Sequence, residues 1–132
     1  MRDLVEFINE NRNKPFLWGS HDCILFANKA AHAIRGRGFC DDLIGQYDGL
    51  NACRFYRKGL KAGGYKDITD AIDTRLNRLI FPCKGAIVAR RMPNEFLGYR
   101  IGVCIGQKIA FVGAAGLQFE GLDTEDIAWG LE

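Results

Sequence analysis

No apolar run in the 132-residue chain reaches the roughly 18 residues that a membrane-crossing helix needs, so no membrane span is expected. Proline is scarce: Pro15, Pro82 and Pro93 punctuate element boundaries, and there is no repeat, low-complexity tract or linker. Charge of one sign is lacking too. Lys plus Arg is 18 and Asp plus Glu is 16, a net charge of +2, which excludes a strongly electrostatic nucleic-acid binder and an acidic tail. The five cysteines, Cys23, Cys40, Cys53, Cys83 and Cys104, contain no Cys-x-x-Cys pair and have no histidine at ligand spacing beside a pair. A structural zinc site is therefore not expected, and no cofactor is implied. The opening Met-Arg-Asp-Leu-Val-Glu carries acids where a secretory signal needs an apolar stretch, so export by that route is not expected. An odd number of cysteines in that setting reads as reduced thiols, most of them small core residues.

What is present is the composition of one soluble globular domain spanning residues 1–132. Hydrophobic residues make up 48% and charged residues 26%. A chain of this length hides roughly two-thirds of its unfolded surface, enough for a real core. The first half reads helical. Leu4, Val5 and Ile8 give a short N-terminal helix an apolar stripe. Pro15 to Gly19 form a loop too aromatic to be an exposed tip. Asp22 is an N-cap, followed by Cys23, Phe26, Ala27, Ala30, Ala31 and Ile34 at helical spacing, with Gly36 or Gly38 as the stop. Asn51 is placed to cap a helix from Ala52 to Lys61, ended by Gly63-Gly64, with Arg54, Arg57, Lys58 and Lys61 on its outer face. That basic face reads as solvated, or as a contact for phosphates. Asp67 caps another helix whose inward residues are Ile68, Ala71, Ile72, Leu76 and Leu79.

The second half is glycine-rich and changes period. Strands are predicted over Gly85 to Arg90, Tyr99 to Ile105, Lys108 to Val112, Leu117 to Glu120 and Ile127 to Trp129, with Gly106-Gln107 as a two-residue hairpin turn. Helices followed by an antiparallel meander give an α+β fold, with N-terminal helices packed on a C-terminal sheet. The Phe96-Leu97 pair beside Pro93 marks a loop suited to protein contacts.

Chemistry concentrates in Pro15-Phe-Leu-Trp-Gly-Ser-His-Asp-Cys-Ile-Leu-Phe26. An aromatic, Gly-containing loop delivers Cys23 to the first turn of an apolar helix. There, unpaired N–H groups and the helix dipole favour a thiolate and can hold an oxyanion. Cys23 is thus a candidate nucleophile, or a small residue packing beneath Trp18. Trp18 is a hydrophobic anchor or a substrate platform. His21 is a loop residue or a ligand. Asp22 reads as the cap. His32, nine residues after Cys23, lies about 13 Å along a helix axis and out of reach.

The run Trp18-Gly19-x-x-Asp22-Cys23 before an apolar helix resembles the nucleophile motif of the NlpC-type cell-wall cysteine peptidases. The chain is similar along most of its length to a small branch of that group encoded among the tail genes of tailed bacteriophages. Shared with it, in order, are the Pro-Phe-x-Trp-Gly-x-x-Asp-Cys opening, Gly45-Gln46-Tyr47, Gly63-Gly64, a late strand pair and Ala128-Trp129. The resemblance implies a circularly permuted papain-like fold, with Trp18, Gly19 and Asp22 as binding positions and Cys23 as nucleophile. It also exposes departures. The active peptidases carry Gly-Asp on one strand and His-Val-Gly on the next, that His being the general base; here the strands open Gly85-Ala86 and Arg100-Ile101-Gly102. Arginine does not accept a proton from a thiol; at most it stabilises a thiolate. His21, two residues before Cys23 across a helix start, is awkwardly placed to substitute.

The resemblance therefore implies a structural or assembly component of a phage tail tip or baseplate hub, without catalysis. It would be made in the host cytoplasm, reside in the virion tail, and act through other tail proteins. The alternative is a cysteine peptidase or amidase acting on peptidoglycan stem peptides during entry, with the base supplied from elsewhere. A third use is a binding module of a bacterial cell.

Overall fold

The computed structural model describes residues 3–131. Among the described residues four helices precede the sheet: α1 (Leu4–Asn11), α2 (Cys23–Arg35), α3 (Ala52–Gly63) and α4 (Ile68–Asp73), with a short 3-10 turn at Asp41–Leu43. Six strands follow: β1 (Asn77–Leu79), β2 (Ile87–Arg91), β3 (Tyr99–Cys104), β4 (Lys108–Gly113), β5 (Gly116–Gly121) and β6 (Ile127–Gly130). They form one sheet in the order β1-β6-β2-β3-β4-β5, antiparallel throughout. The fold is α+β, with a six-stranded antiparallel sheet.

The central helix α2 is buried on nearly every side, from Cys23 through Ala33. Its alanines bring the backbone close to the sheet, where Ile87, Ala89, Ile101, Val103, Ala110, Val112 and Trp129 share its core. Phe7 of α1 stacks on Phe26 at 5.5 Å between ring centres. Gly36, at φ 82°, ends α2 as a left-handed cap. The opposite sheet face holds a smaller cluster of Ala86, Val88, Cys104, Ile109, Phe111 and Ala128.

Four expectations change. Val5 is exposed, and α1 buries Leu4, Phe7, Ile8 and Asn11 instead. Asn51 stands at the start of α3 but makes no cap; its Oδ1 accepts the Asp48 N–H at 2.8 Å, tying up the preceding loop. The helix capped by Asp67 ends at Asp73, and Leu79 belongs to β1, an edge strand paired with β6 from Asn77↔Gly130 to Leu79↔Ala128. Finally, the meander holds only for β2 to β5. The last strand crosses to lie between β1 and β2, where Trp129 is buried and its indole N–H donates to Asp73 Oδ1 at 2.8 Å. Burial of that indole settles β6's place, which strand periodicity does not encode.

Candidate functional site

Asp22 sits fully buried at the N-terminus of α2. Its Oδ1 accepts the Leu25 N–H at 2.9 Å, satisfying one of the open donors of the first turn. Its Oδ2 accepts the Gly19 N–H at 3.0 Å and the Tyr47 hydroxyl proton at 2.5 Å. Tyr47 has one proton to give, so at its other contact, 2.5 Å from the Tyr56 hydroxyl, it accepts. Both phenols are held well above their ordinary range, chiefly by burial. The loop thus reaches its shape by bonds to a single carboxylate. Gly19 is required twice over: φ is +85°, and a Cβ there would lie 2.0 Å from the Tyr47 carbonyl oxygen.

This arrangement sets Trp18 at the edge of a cleft of about 610 Å³, in the size range of small-ligand sites. Phe16 meets Trp18 edge-on at 4.7 Å, and Phe96 lies 5.2 Å from it across the mouth. Phe96 comes from the β2–β3 connection, which also supplies Glu95 and Leu97. Phe16 is anchored by its N–H to the Gly113 carbonyl at 3.0 Å, so the start of the β4–β5 hairpin forms the far wall. Tyr99, Arg100 and Gln118 complete the lining, with Cys23 at the α2 end.

Cys23 and Arg100 therefore share one cleft, but they are chemically separate. Cys23 is 7% exposed, and burial pushes the pKa of its thiol up to about 12. Backbone hydrogen bonds from Ile101 and Ile24 pull the other way without compensating, while Asp22 and Glu95 oppose a thiolate further. The helix N-terminus is thus outweighed by desolvation. Arg100 lies 4.7 Å over the Phe111 ring and donates to Gln118 Oε1 at 2.6 Å, with longer approaches to Glu120 at 3.4 Å and the Val112 carbonyl at 3.5 Å.

His21 is outside the cleft and buried, not part of an open loop. Its Nδ1 is 3.1 Å from Lys29 Nζ, and burial together with Lys29 and Lys14 lowers its pKa to about 4. The ammonium can only donate, so the imidazole is neutral with its proton on Nε2. His32 is exposed and bonded to Asp41 Oδ1 at 2.7 Å. Neither histidine joins Cys23. Among the described residues, no cluster of three His, Cys, Asp or Glu side chains is placed to hold a metal ion. The cysteines are all free; Cys23, Cys40 and Cys104 are buried, Cys53 is half-buried and Cys83 is exposed.

Sequence reasoning located Trp18, Gly19, Asp22, Cys23 and Arg100 but missed how Tyr47, Tyr56, Glu95 and Gln118 contribute. Tyr47 carried a signal, the Gly-x-Tyr spacing; the partners of Asp22 at 25 residues' distance carried none. No curated protein and no solved structure is significantly similar to this chain. One family model matches, that of a domain of unknown function, DUF6950, over residues 1–131; the chain belongs to that family.

Proposed function

We propose that this protein is a structural or assembly subunit of a bacteriophage tail, at the tail tip or baseplate hub. In this reading it is a catalytically silent NlpC-like, papain-like domain, and its cleft receives part of a neighbouring tail protein. One observation carries the proposal: Cys23 lines a well-formed cleft as a buried thiol held at about 12, and neither histidine shares that cleft. A thiol so placed is neutral at physiological pH and lacks the base that would activate it. The apolar mouth made by Trp18 and Phe96, and Leu17 exposed beside it, suits a protein partner better than water-rich hydrolytic chemistry. A cysteine opening a helix packed on an antiparallel sheet supports the papain-like assignment.

The test is genetic and biochemical. Purified virions of a phage carrying the gene should contain the protein, and Cys23→Ala should assemble infectious particles at the wild-type level. Loss of infectivity on that substitution, with particles intact, would overturn the reading.

A second reading stays in play because Cys23 sits where a nucleophile would, at a helix N-terminus facing a cleft. As a peptidase or amidase, the protein would clear purified peptidoglycan, and Cys23→Ala would not. The proposal expects no clearing by either form.

A further inference from the structure

Two charged residues, Glu95 and Arg100, lie on the lining of the cleft with Cys23 and the aromatic mouth. Arg100 is engaged elsewhere. Its guanidinium is 4.7 Å over Phe111, in the cluster on the sheet face opposite α2, donates to Gln118 at 2.6 Å and pairs with Glu120 at 3.4 Å. Glu95 is used differently. Among the described residues, its exposed carboxylate has no ion pair or hydrogen bond. Its backbone is nonetheless fixed: the N–H donates to the Met92 carbonyl and the carbonyl accepts the Gly98 N–H, both at 2.9 Å. The carboxylate is near enough to Cys23 to oppose ionisation of that thiol. The next residue, Phe96, lies 5.2 Å from Trp18, which Phe16 meets at 4.7 Å. The uncompensated charge on the cleft lining is therefore negative, and it stands beside packed aromatic rings.

We infer that the cleft receives an arginine side chain of a partner polypeptide, with Glu95 taking the guanidinium and the Trp18 and Phe96 rings lying against it. This rests on the reading of the cleft as a docking site. Charge complementarity selects the occupant. An acidic side chain would meet Glu95, and an apolar one would cover that carboxylate without giving it a partner. A cation satisfies both the carboxylate and the negative faces of the rings. Among cations, a guanidinium fits because it is planar and weakly hydrated, stacks on aromatic faces, and meets a carboxylate with two parallel hydrogen bonds. At about 610 Å³ the cleft has room for one such side chain and its flanking backbone, and is far smaller than a folded domain.

Trp18 reports binding directly, since the other tryptophan, Trp129, is fully buried. The probes are pentapeptides of Gly and Ser, acetylated and amidated at their ends, with a central arginine, lysine, leucine or citrulline, the last being the uncharged analogue of arginine. Titration by tryptophan fluorescence is expected to show saturable binding of the arginine peptide, with citrulline and leucine about tenfold weaker or worse and lysine between. Glu95→Gln should reduce the arginine peptide to the level of citrulline and leave citrulline unchanged. The arginine–citrulline contrast is read on the unaltered protein, so it does not depend on a variant folding. Equal binding of arginine, citrulline and leucine, all lost in Trp18→Ala, would overturn the cation inference while leaving the docking site standing. Binding of lysine as tightly as arginine would overturn the choice of a guanidinium. An arginine–citrulline contrast that survives Glu95→Gln would overturn the role of Glu95. No saturable change with any peptide at millimolar concentration would overturn both the inference and the docking reading.

Discussion

Desolvation is the largest influence on the protonation of Cys23, Cys40 and His21. Cys23 and Cys40 are both buried, and burial is the first cause that lifts each to about 12. In the unfolded chain these thiols ionise near their ordinary value, so above about pH 9 the unfolded state releases protons that the folded state keeps. Stability then falls as pH rises, by about 1.4 kcal/mol per pH unit for each thiol. Chemical denaturation between pH 8 and pH 10 checks this: a Cys23→Ala, Cys40→Ala double variant should show a shallower alkaline decline than the wild type. His21 behaves in the opposite sense. Its folded value of about 4 lies below the unfolded one, so stability is full above the ordinary histidine range and is lost as pH falls toward 4, by at most about 3 kcal/mol. His21→Gln should flatten that acid limb, measured by urea unfolding from pH 7 to pH 4.5.

At the scale of elements, the start of α2 is the joint of the molecule. Asp22 caps the helix, fixes the Gly19 turn and accepts from Tyr47. Replacing it with Ala removes a cap and leaves buried donors open, an expected loss of about 3 kcal/mol, with Asp22→Asn costing less. Thermal unfolding of the two variants measures the difference. The cap was legible in the sequence because it acts over three residues. So were a glycine stop for α2, open between Gly36 and Gly38 until the structure chose Gly36, the β3–β4 hairpin and the aromatic character of residues 15–19. The second role of Asp22 was not, because Tyr47 and Tyr56 arrive from a separate loop and helix. Nor was β1: Leu76 and Leu79 sit at helical spacing, and only pairing with β6 makes Asn77–Leu79 a strand. The same holds for Asn51, whose side chain finds Asp48 before it can cap α3.

For the whole molecule, the sheet order decides where the cleft lies. Strands β2 to β5 follow the chain, and β6 inserts beside β2, leaving the β2–β3 connection and the β4–β5 hairpin as the walls flanking the α2 N-terminus. The sequence placed Cys23 and Arg100 near one another through family resemblance, and the fold does carry both to one cleft. It did not anticipate that Arg100 would be stacked on Phe111 and bonded to Gln118, since that contact depends on how β3 and β5 approach each other. Trimming this wall should be tolerated: Phe96→Leu keeps an apolar rim and is expected to change stability by under about 1 kcal/mol while weakening partner binding, which thermal unfolding and pull-down from phage lysate would separate.

The account turns on whether Cys23 is a packing residue or an activated thiol, and site-resolved alkylation by mass spectrometry across pH 6 to 9 measures that directly in the folded protein. The prediction is that Cys83, which is exposed, reacts throughout, while Cys23 stays unmodified until the protein is unfolded. Rapid modification of Cys23 at pH 6, ahead of Cys83, would contradict the account and restore the peptidase reading.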